Sequence, residues 1–465
     1  MGPIPSRWKG ICKSEANFIA TIHCNKKIIG ARWYIKGFMK EKGLSQSIID
    51  KTYNLSAVDA SGHGSTAAGS YVNNLQYYGL NMGTIRGGAS LARLAIYKVC
   101  WKEMMGVYCS GADILAGVDD AIKDGVDIIS ASIVSHGISV IAAGGNSGPD
   151  SNTISNTSPW VITVAAKPNN QDPMIKLGRS EILEGQEVVL KVPKFSSRGP
   201  NAFAPDILKP DIAAPGVNIL AAVRPMKGDH GFQLMSGTSM AAPHVSGIVA
   251  LLKVAYPDWS PAAIKSALVT TAWNEDTYKS EIYSEGAGDK IADPFDFGGG
   301  ICNPNGATDP GLVYDMDKND YLNYLCSLGY SNDKMQNATT CYSKTKNSTS
   351  SGIICPNKVP SRLDLNLPSI SISNLKYPVT IKRTVTNVGN VNAIYKVVIK
   401  PPRNTIIQVN PHILKFNSKT KKNSFEVKIT STHQRMSKFT FGSLAWNDGK
   451  HLVRIPIAVR KQVDV

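Results

Sequence analysis

Between Arg93 and Ala166, short apolar runs rich in β-branched residues alternate with one helical run, and that alternation restricts the fold more than anything else in the 465 residues. Arg93 to Val99, Val126 to Ile133, Ile138 to Ala143 and Trp160 to Ala166 each have the length and apolar density of a buried strand. Ala112 to Lys123 instead sets Ile114, Leu115, Val118, Ala121 and Ile122 at helical spacing, and Gly125 ends the helix. Strands alternating with helices imply an α/β class: a mostly parallel sheet with flanking helices. One junction conflicts with the pattern. Adjacent parallel strands need a crossover of about a dozen residues, yet only Val134-Ser135-His136-Gly137 separate the second and third runs. The expectation is local strain, or a different pairing of those two strands.

From Leu375 the texture changes to short alternating strands, such as Ala393 to Ile399 and Phe425 to Thr430. Asp448-Gly449 signals a hairpin between Trp446 and Val453. This is the pattern of an all-β sandwich. A hydrophobic content of 42% with 18% charged residues fits a globular chain with a sizeable core. The net charge of +16 raises nucleic acid, an anionic wall or a membrane surface as partners. No nucleic-acid motif and no long basic run accompany it, so a diffusely basic surface with no nucleic-acid partner is expected. No apolar stretch reads as a bilayer span.

Eight cysteines include two close pairs, Cys12 with Cys24 and Cys100 with Cys109. Neither has zinc-ligand spacing with nearby histidines, so no metal is expected and small-loop disulfides of an exported chain are. Sequons at Asn54, Asn156, Asn337 and Asn347 agree with export, whereas Met1 to Pro5 has no signal-sequence pattern. Phe297-Gly298-Gly299-Gly300 lacks the lysine and serine of a phosphate loop and reads as a turn, with Cys302 beside it a free or buried thiol.

The residues that carry chemistry begin at Ser236-Gly237-Thr238-Ser239-Met240-Ala241-Ala242-Pro243-His244-Val245-Ser246-Gly247, which run into the apolar stretch Ile248 to Val254. Small residues crowd one serine and then turn into a helix, with Ser239 at or near its first turn. There the helix field favours developing negative charge, and Pro243 is placed early, where its missing N–H is not needed. A plain serine N-cap is the simpler reading of such a Ser-Gly-Thr-Ser alone. The full string resembles the nucleophile motif of subtilisin-like serine proteases, specifically the plant subtilases, and the resemblance implies that Ser239 is the nucleophile.

Other blocks resemble the same family in the same order. Gly62-His63-Gly64, followed by Ser65-Thr66-Ala67-Ala68-Gly69, is similar to its histidine block, which implies that His63 is the general base. The Thr-His-Thr-Ala between those pieces in the family is absent; four residues are about one helical turn. Ala142 to Pro149 resembles the block that supplies the oxyanion-hole asparagine, which implies that role for Asn146. Phe195 to Asn201 and Ile207 to Gly216 match its core scaffold. The resemblance also implies a subtilisin-like catalytic domain over 1–315, a connecting segment 316–374 and a fibronectin type III-like β domain over 375–465. The family's glycine-rich substrate edge and a full helix are missing between the second and third strands. Between Ala166 and Val192 only a fragment of its protease-associated insert remains.

In the family the catalytic acid lies in Asp-Thr-Gly, and no Asp-Thr-Gly occurs in this sequence, which begins like a stretch just downstream of it. Asp59 sits too close to His63 in the chain to replace it, and Asp150 and Asp211 qualify by count only, so no acid is assigned. The implied function is peptide-bond hydrolysis through a serine nucleophile, outside the cell, on protein or peptide substrates and with no cofactor. The other reading is an inactive remnant that binds or acts as a decoy.

Overall fold

The computed structural model describes residues 1–15, 17–53, 55–58, 71–77, 80–103, 106–130, 138–168, 190–222, 231–276, 279–286, 288, 290–333, 355–357, 359–433 and 436–461. These fall into two units. The first takes Met1–Pro200, Lys209–Asp258 and Trp273–Cys302; the second takes Asn201–Leu208, Trp259–Ala272 and Asn303–Val465.

After a single helical turn at Ala20–His23, the first unit has β1 (Ile28–Trp33) and α1 (Lys36–Lys42). β2 (Leu94–Lys98) pairs with β1 in parallel. β3 (Cys100–Glu103) and β4 (Gly106–Cys109) form a hairpin closed by the Cys100–Cys109 disulfide. The Cys12–Cys24 disulfide is also present, as the spacing predicts. α2 (Gly111–Asp124) is capped by Ser110 and ends at Gly125, whose φ of 89° is the left-handed stop that glycine accommodates. Arg32 of β1 reaches both Asp120 and Asp124 of α2. Asp113, buried on the same helix, accepts from the Gly37 and Phe38 N–H groups and so caps α1.

β5 (Ile128–Ser130), β6 (Ser139–Ala143), β7 (Val161–Lys167) and β8 (Ile212–Pro215) form one parallel sheet in the order β8-β7-β6-β5. The α/β class is therefore as the alternation predicts. The strain or re-pairing expected at the short junction is corrected for the pairing: β5 and β6 are adjacent and parallel, with Ile128 opposite Ser139 and Ser130 opposite Ile141. Physically, β5 is so short that the return path covers only two residues of strand and one strand spacing, about 8 Å. The link itself, 131–137, lies outside the described residues.

Val140 and Ala142 of β6 pack with Val118 and Ala121 of α2, while Ile141 between them faces the opposite side and is equally buried. α3 (Thr238–Ala255) packs across all four strands. By length and composition, with 18 residues and a mean hydropathy of 1.2, α3 would suffice to cross a bilayer. The packing of α3 against the sheet accounts for its apolarity.

The second unit holds α4 (Pro261–Thr270), which the consecutive Ser260-Pro261 open as N-cap and N1 proline. Its sandwich comprises β9 (Leu312–Val313), β10 (Ile370–Ile372), β11 (Val379–Asn387), β12 (Ala393–Lys400), β13 (Thr405–Asn410), β14 (Ile413–Phe416), β15 (Lys422–Ser431), β16 (Met436–Asn447) and β17 (Leu452–Lys461). One sheet runs β9-β11-β15-β13, the other β10-β17-β16-β12-β14. Alternation along each strand buries one face: Ile381 and Val385, Phe425 and Val427, Leu444 and Trp446, and Val453 and Ile455 meet in one core. β16 and β17 form the expected hairpin, with Gly449 at φ 94°. A third disulfide, Cys326–Cys355, has no close-spacing signal in the sequence. Cys302, in the first unit, is free and buried, as its sequence context predicts.

At that hairpin the His451 Nδ1 lies 2.8 Å from Asp448 Oδ2, and its Nε2 3.1 Å from Asp309 Oδ1. Burial works against the His451 charge, but the two carboxylates outweigh it and raise the pKa. Burial opposes the Asp448 charge as well, and the His451 and backbone hydrogen bonds overcome it, bringing its pKa to about 2. A raised histidine stabilises fully below its unfolded value, about 6.5, and loses that contribution as pH rises through the folded value. A depressed aspartate stabilises above its unfolded value, about 3.9, and loses it as pH falls toward 2. Thermal melting is therefore expected to drop between pH 6 and pH 8, and calorimetry of His451→Gln should show a smaller drop.

Candidate active site

The strand Phe232–Met235 runs into Ser236-Gly237, and α3 begins at Thr238. Ser239 is thus the second helical residue and is partly exposed. The first four N–H groups of a helix have no acceptor within it. Here the Thr238 N–H donates to Asn146 Oδ1 at 2.9 Å, and those of Met240 and Ala241 donate to the Gly237 carbonyl at 3.0 and 3.4 Å. The Ser239 N–H has no acceptor among the described residues. Pro243 is the sixth residue of the helix and so lies beyond the first turn, where the sequence alone places it. Lacking an N–H, it leaves the Ser239 carbonyl out of the helical ladder.

Asn146 lies just past the end of β6, on an exposed loop. Gly145 before it has φ 105°, and a Cβ there would meet the Ser197 Oγ at 2.8 Å, so this turn needs glycine. Ser197, fully buried, holds the loop on both sides of Asn146: its N–H donates to the Gly145 carbonyl at 2.9 Å and its Oγ accepts from the Ser147 N–H at 3.0 Å. Thr238 completes the arrangement. Its Oγ1 accepts from the Gly145 N–H at 3.1 Å and donates to Asn146 Oδ1 at 2.9 Å. Two donors on one atom of the Asn146 amide identify that atom as oxygen. The Nδ2 end lies near Gly237, 3.3 Å from where a Cβ would stand.

Ser239 and Asn146 therefore share one locale, through Gly237 and Thr238. His63 lies outside the described residues, as does Asp59. His244, one turn beyond Ser239, is tied to its own helix through Nδ1 and the Met240 carbonyl at 2.8 Å. Burial, with Lys167 adding to it, lowers its pKa. Asp211 is committed elsewhere: its Oδ2 accepts from Lys209 Nζ at 2.6 Å and from the Thr163 N–H at 2.8 Å. Asp150 is exposed. Sequence reasoning misses Thr238 and Ser197. Thr238 adjoins the serine in the same string, but its role depends on meeting a loop 92 residues away. At Asn156 the side-chain amide donates to the Ala143 carbonyl at 2.8 Å, so the amide of that sequon is engaged in the fold.

Comparison with known proteins follows the same division. The Subtilase family model matches residues 35–300, and a Fibronectin type-III domain model matches residues 364–459. Subtilisin-like protease SBT3.9 of Arabidopsis thaliana is 40% identical over an alignment of 609 positions that covers 99% of this chain and 78% of the relative. Subtilisin-like protease SBT3.10 of the same plant is 39% identical, again over 99% of this chain and 78% of the relative. An alignment of 609 positions exceeds the 465 residues of the chain, so the relative carries sequence inside the matched span that this chain lacks. Among solved structures Sphericase is 30% identical and covers 54% of this chain and 80% of its own, at a TM-score of 0.39. A family model that takes in more than half of the chain, and plant relatives aligned along nearly all of it, show that this chain belongs to the subtilase family, the subtilisin-like serine endopeptidases.

Proposed function

We propose that the chain retains the acyl-forming half of a subtilisin-like endopeptidase site and works with a weakened proton relay. Ser239 Oγ attacks the peptide carbonyl, and His63 takes its proton. The oxyanion that develops is met by the Asn146 Nδ2–H and the Ser239 N–H, at the positive end of α3. The observation that carries this reading is the pair of donors from Thr238 that hold Asn146 Oδ1 and leave Nδ2 beside Gly237. The Ser239 N–H, without an acceptor among the described residues, supports it. No carboxylate is assigned to orient His63. Protein or peptide substrates follow from the family, and an extracellular setting is supported by three disulfides.

A fluorophosphonate probe tests the reading. Slow labelling at Ser239 is expected, with none in Ser239→Ala. Asn146→Leu should slow labelling about a hundredfold or more, the range of 2.7–4 kcal/mol measured for such a donor in subtilisin, a relative of this chain. Labelling of the parent no faster than of Ser239→Ala would overturn the proposal and favour a non-catalytic binding protein.

A further inference from the structure

The charge of this chain is not spread evenly. Residues 375–465 hold seventeen Lys and Arg against three Asp and Glu, so about a fifth of the sequence carries +14 of the total +16. Within the sandwich, part of this charge forms a row. On β12 the outward residues are Ile394, Lys396, Val398 and Lys400. Lys415 of β14 stands opposite Ile394. The connection after β14 carries exposed Lys419 and, where it meets Asn387 of the four-stranded sheet, exposed Lys421; exposed Arg403 follows Lys400 at the other end. At about 3.3 Å per residue, the distance from Lys415 to Lys400 is about 20 Å, and the flanking residues lengthen the row.

None of these six cations has a carboxylate partner among the described residues. The acid closest in register is Asp448, next to Asn447, which pairs with Lys396, and its carboxylate is taken by His451. Unneutralised like charges repel one another in the folded state. Lysines on β14 alone would be explained as guards of a sheet edge. Lys396 would not, because it is paired on both sides, with Ile413 of β14 and Asn447 of β16, while Lys400 lies beyond β14 and pairs with β16 alone.

We propose that this face of the five-stranded sheet binds a linear polysaccharide bearing carboxylates, a polyuronate, along β12 and β14. A row of cations matches a linear polyanion. Lysine is a compact point charge that can meet single carboxylates spaced along such a chain, whereas arginine's fork favours bidentate pairing with one carboxylate or phosphate. Ile394 and Val398, 55% and 43% exposed, stand between the lysines and offer aliphatic surface to the apolar faces of sugar rings. No aromatic side chain stands in the row, so the stacking that holds single-stranded nucleic acid is lacking.

The test uses the full chain and polygalacturonate, with affinity measured at several salt concentrations. Binding is expected to weaken steeply with salt. The variant Lys396→Gln/Lys400→Gln/Lys415→Gln/Lys421→Gln should bind about tenfold more weakly or worse, with a shallower salt dependence and unchanged melting. If that variant melts early, Lys396→Gln/Lys400→Gln alone is expected to weaken binding about threefold. The fully methyl-esterified polymer, which has the same sugars without charge, should not bind. Three results would each overturn the proposal: variants that bind like the parent, equal binding of the esterified polymer, or tighter binding of a single-stranded oligonucleotide or of anionic lipid vesicles.

Discussion

The 465-residue chain should hydrolyse a peptide ester about 10⁴-fold more slowly than a subtilisin-like enzyme with a complete triad. The figure rests on subtilisin itself, a relative, in which loss of the aspartate alone costs about 3 × 10⁴ in turnover. That is about 6 kcal/mol of transition-state stabilisation. The cause is local. On the proposed reading no carboxylate is assigned to His63, so nothing would fix the tautomer of its imidazole or stabilise the imidazolium formed when it takes the Ser239 proton. The sequence has no Asp-Thr-Gly. Of the carboxylates that qualify by count, Asp211 is bound by Lys209 and the Thr163 N–H, and Asp150 is exposed. What remains is the contribution of the oxyanion donors and of binding. Ordinary ester turnover that disappears in Ser239→Ala would show that a working acid is present after all.

Lys209→Met should strongly destabilise the first unit. Lys209 is fully buried, and its Nζ donates to the Val161 carbonyl at 2.8 Å, to Thr163 Oγ1 at 2.9 Å and to Asp211 Oδ2 at 2.6 Å. Methionine nearly preserves the volume but leaves the Asp211 carboxylate buried without its cation, a loss of about 3–5 kcal/mol. At about 2–4 °C per kcal/mol for a domain of this size, melting should fall by roughly 10 °C. Lys209→Met/Asp211→Asn removes both charges and should recover much of the loss, since it is the orphaned charge that is costly. The consequence extends to the site. β8 leads into Gly216, whose carbonyl accepts from the Gly237 N–H at 2.7 Å, two residues before Ser239. A Lys209→Met protein that melts within a degree of the parent would refute this account.

Whatever depends on neighbours in the chain is legible in the amino-acid sequence alone. The strand and helix alternation, the stop at Gly125, the Ser260-Pro261 cap, the Asp448-Gly449 hairpin and the two short disulfides are all set by residues within about a dozen positions of one another. The serine string is legible for the same reason, since a tight turn and the helix after it are written in consecutive residues.

What only the tertiary structure decided lies between segments far apart in sequence. The Cys326–Cys355 disulfide, the hold of Thr238 on the Asn146 amide and the pairing of β5 with β6 each depend on which surfaces meet. So do the two sides of Ser197 and the row of lysines across β12 and β14. Local pattern sets which elements form. The direction of a side-chain amide, or of a row of charges, is set by packing and strand register, and those are settled only when the whole core closes.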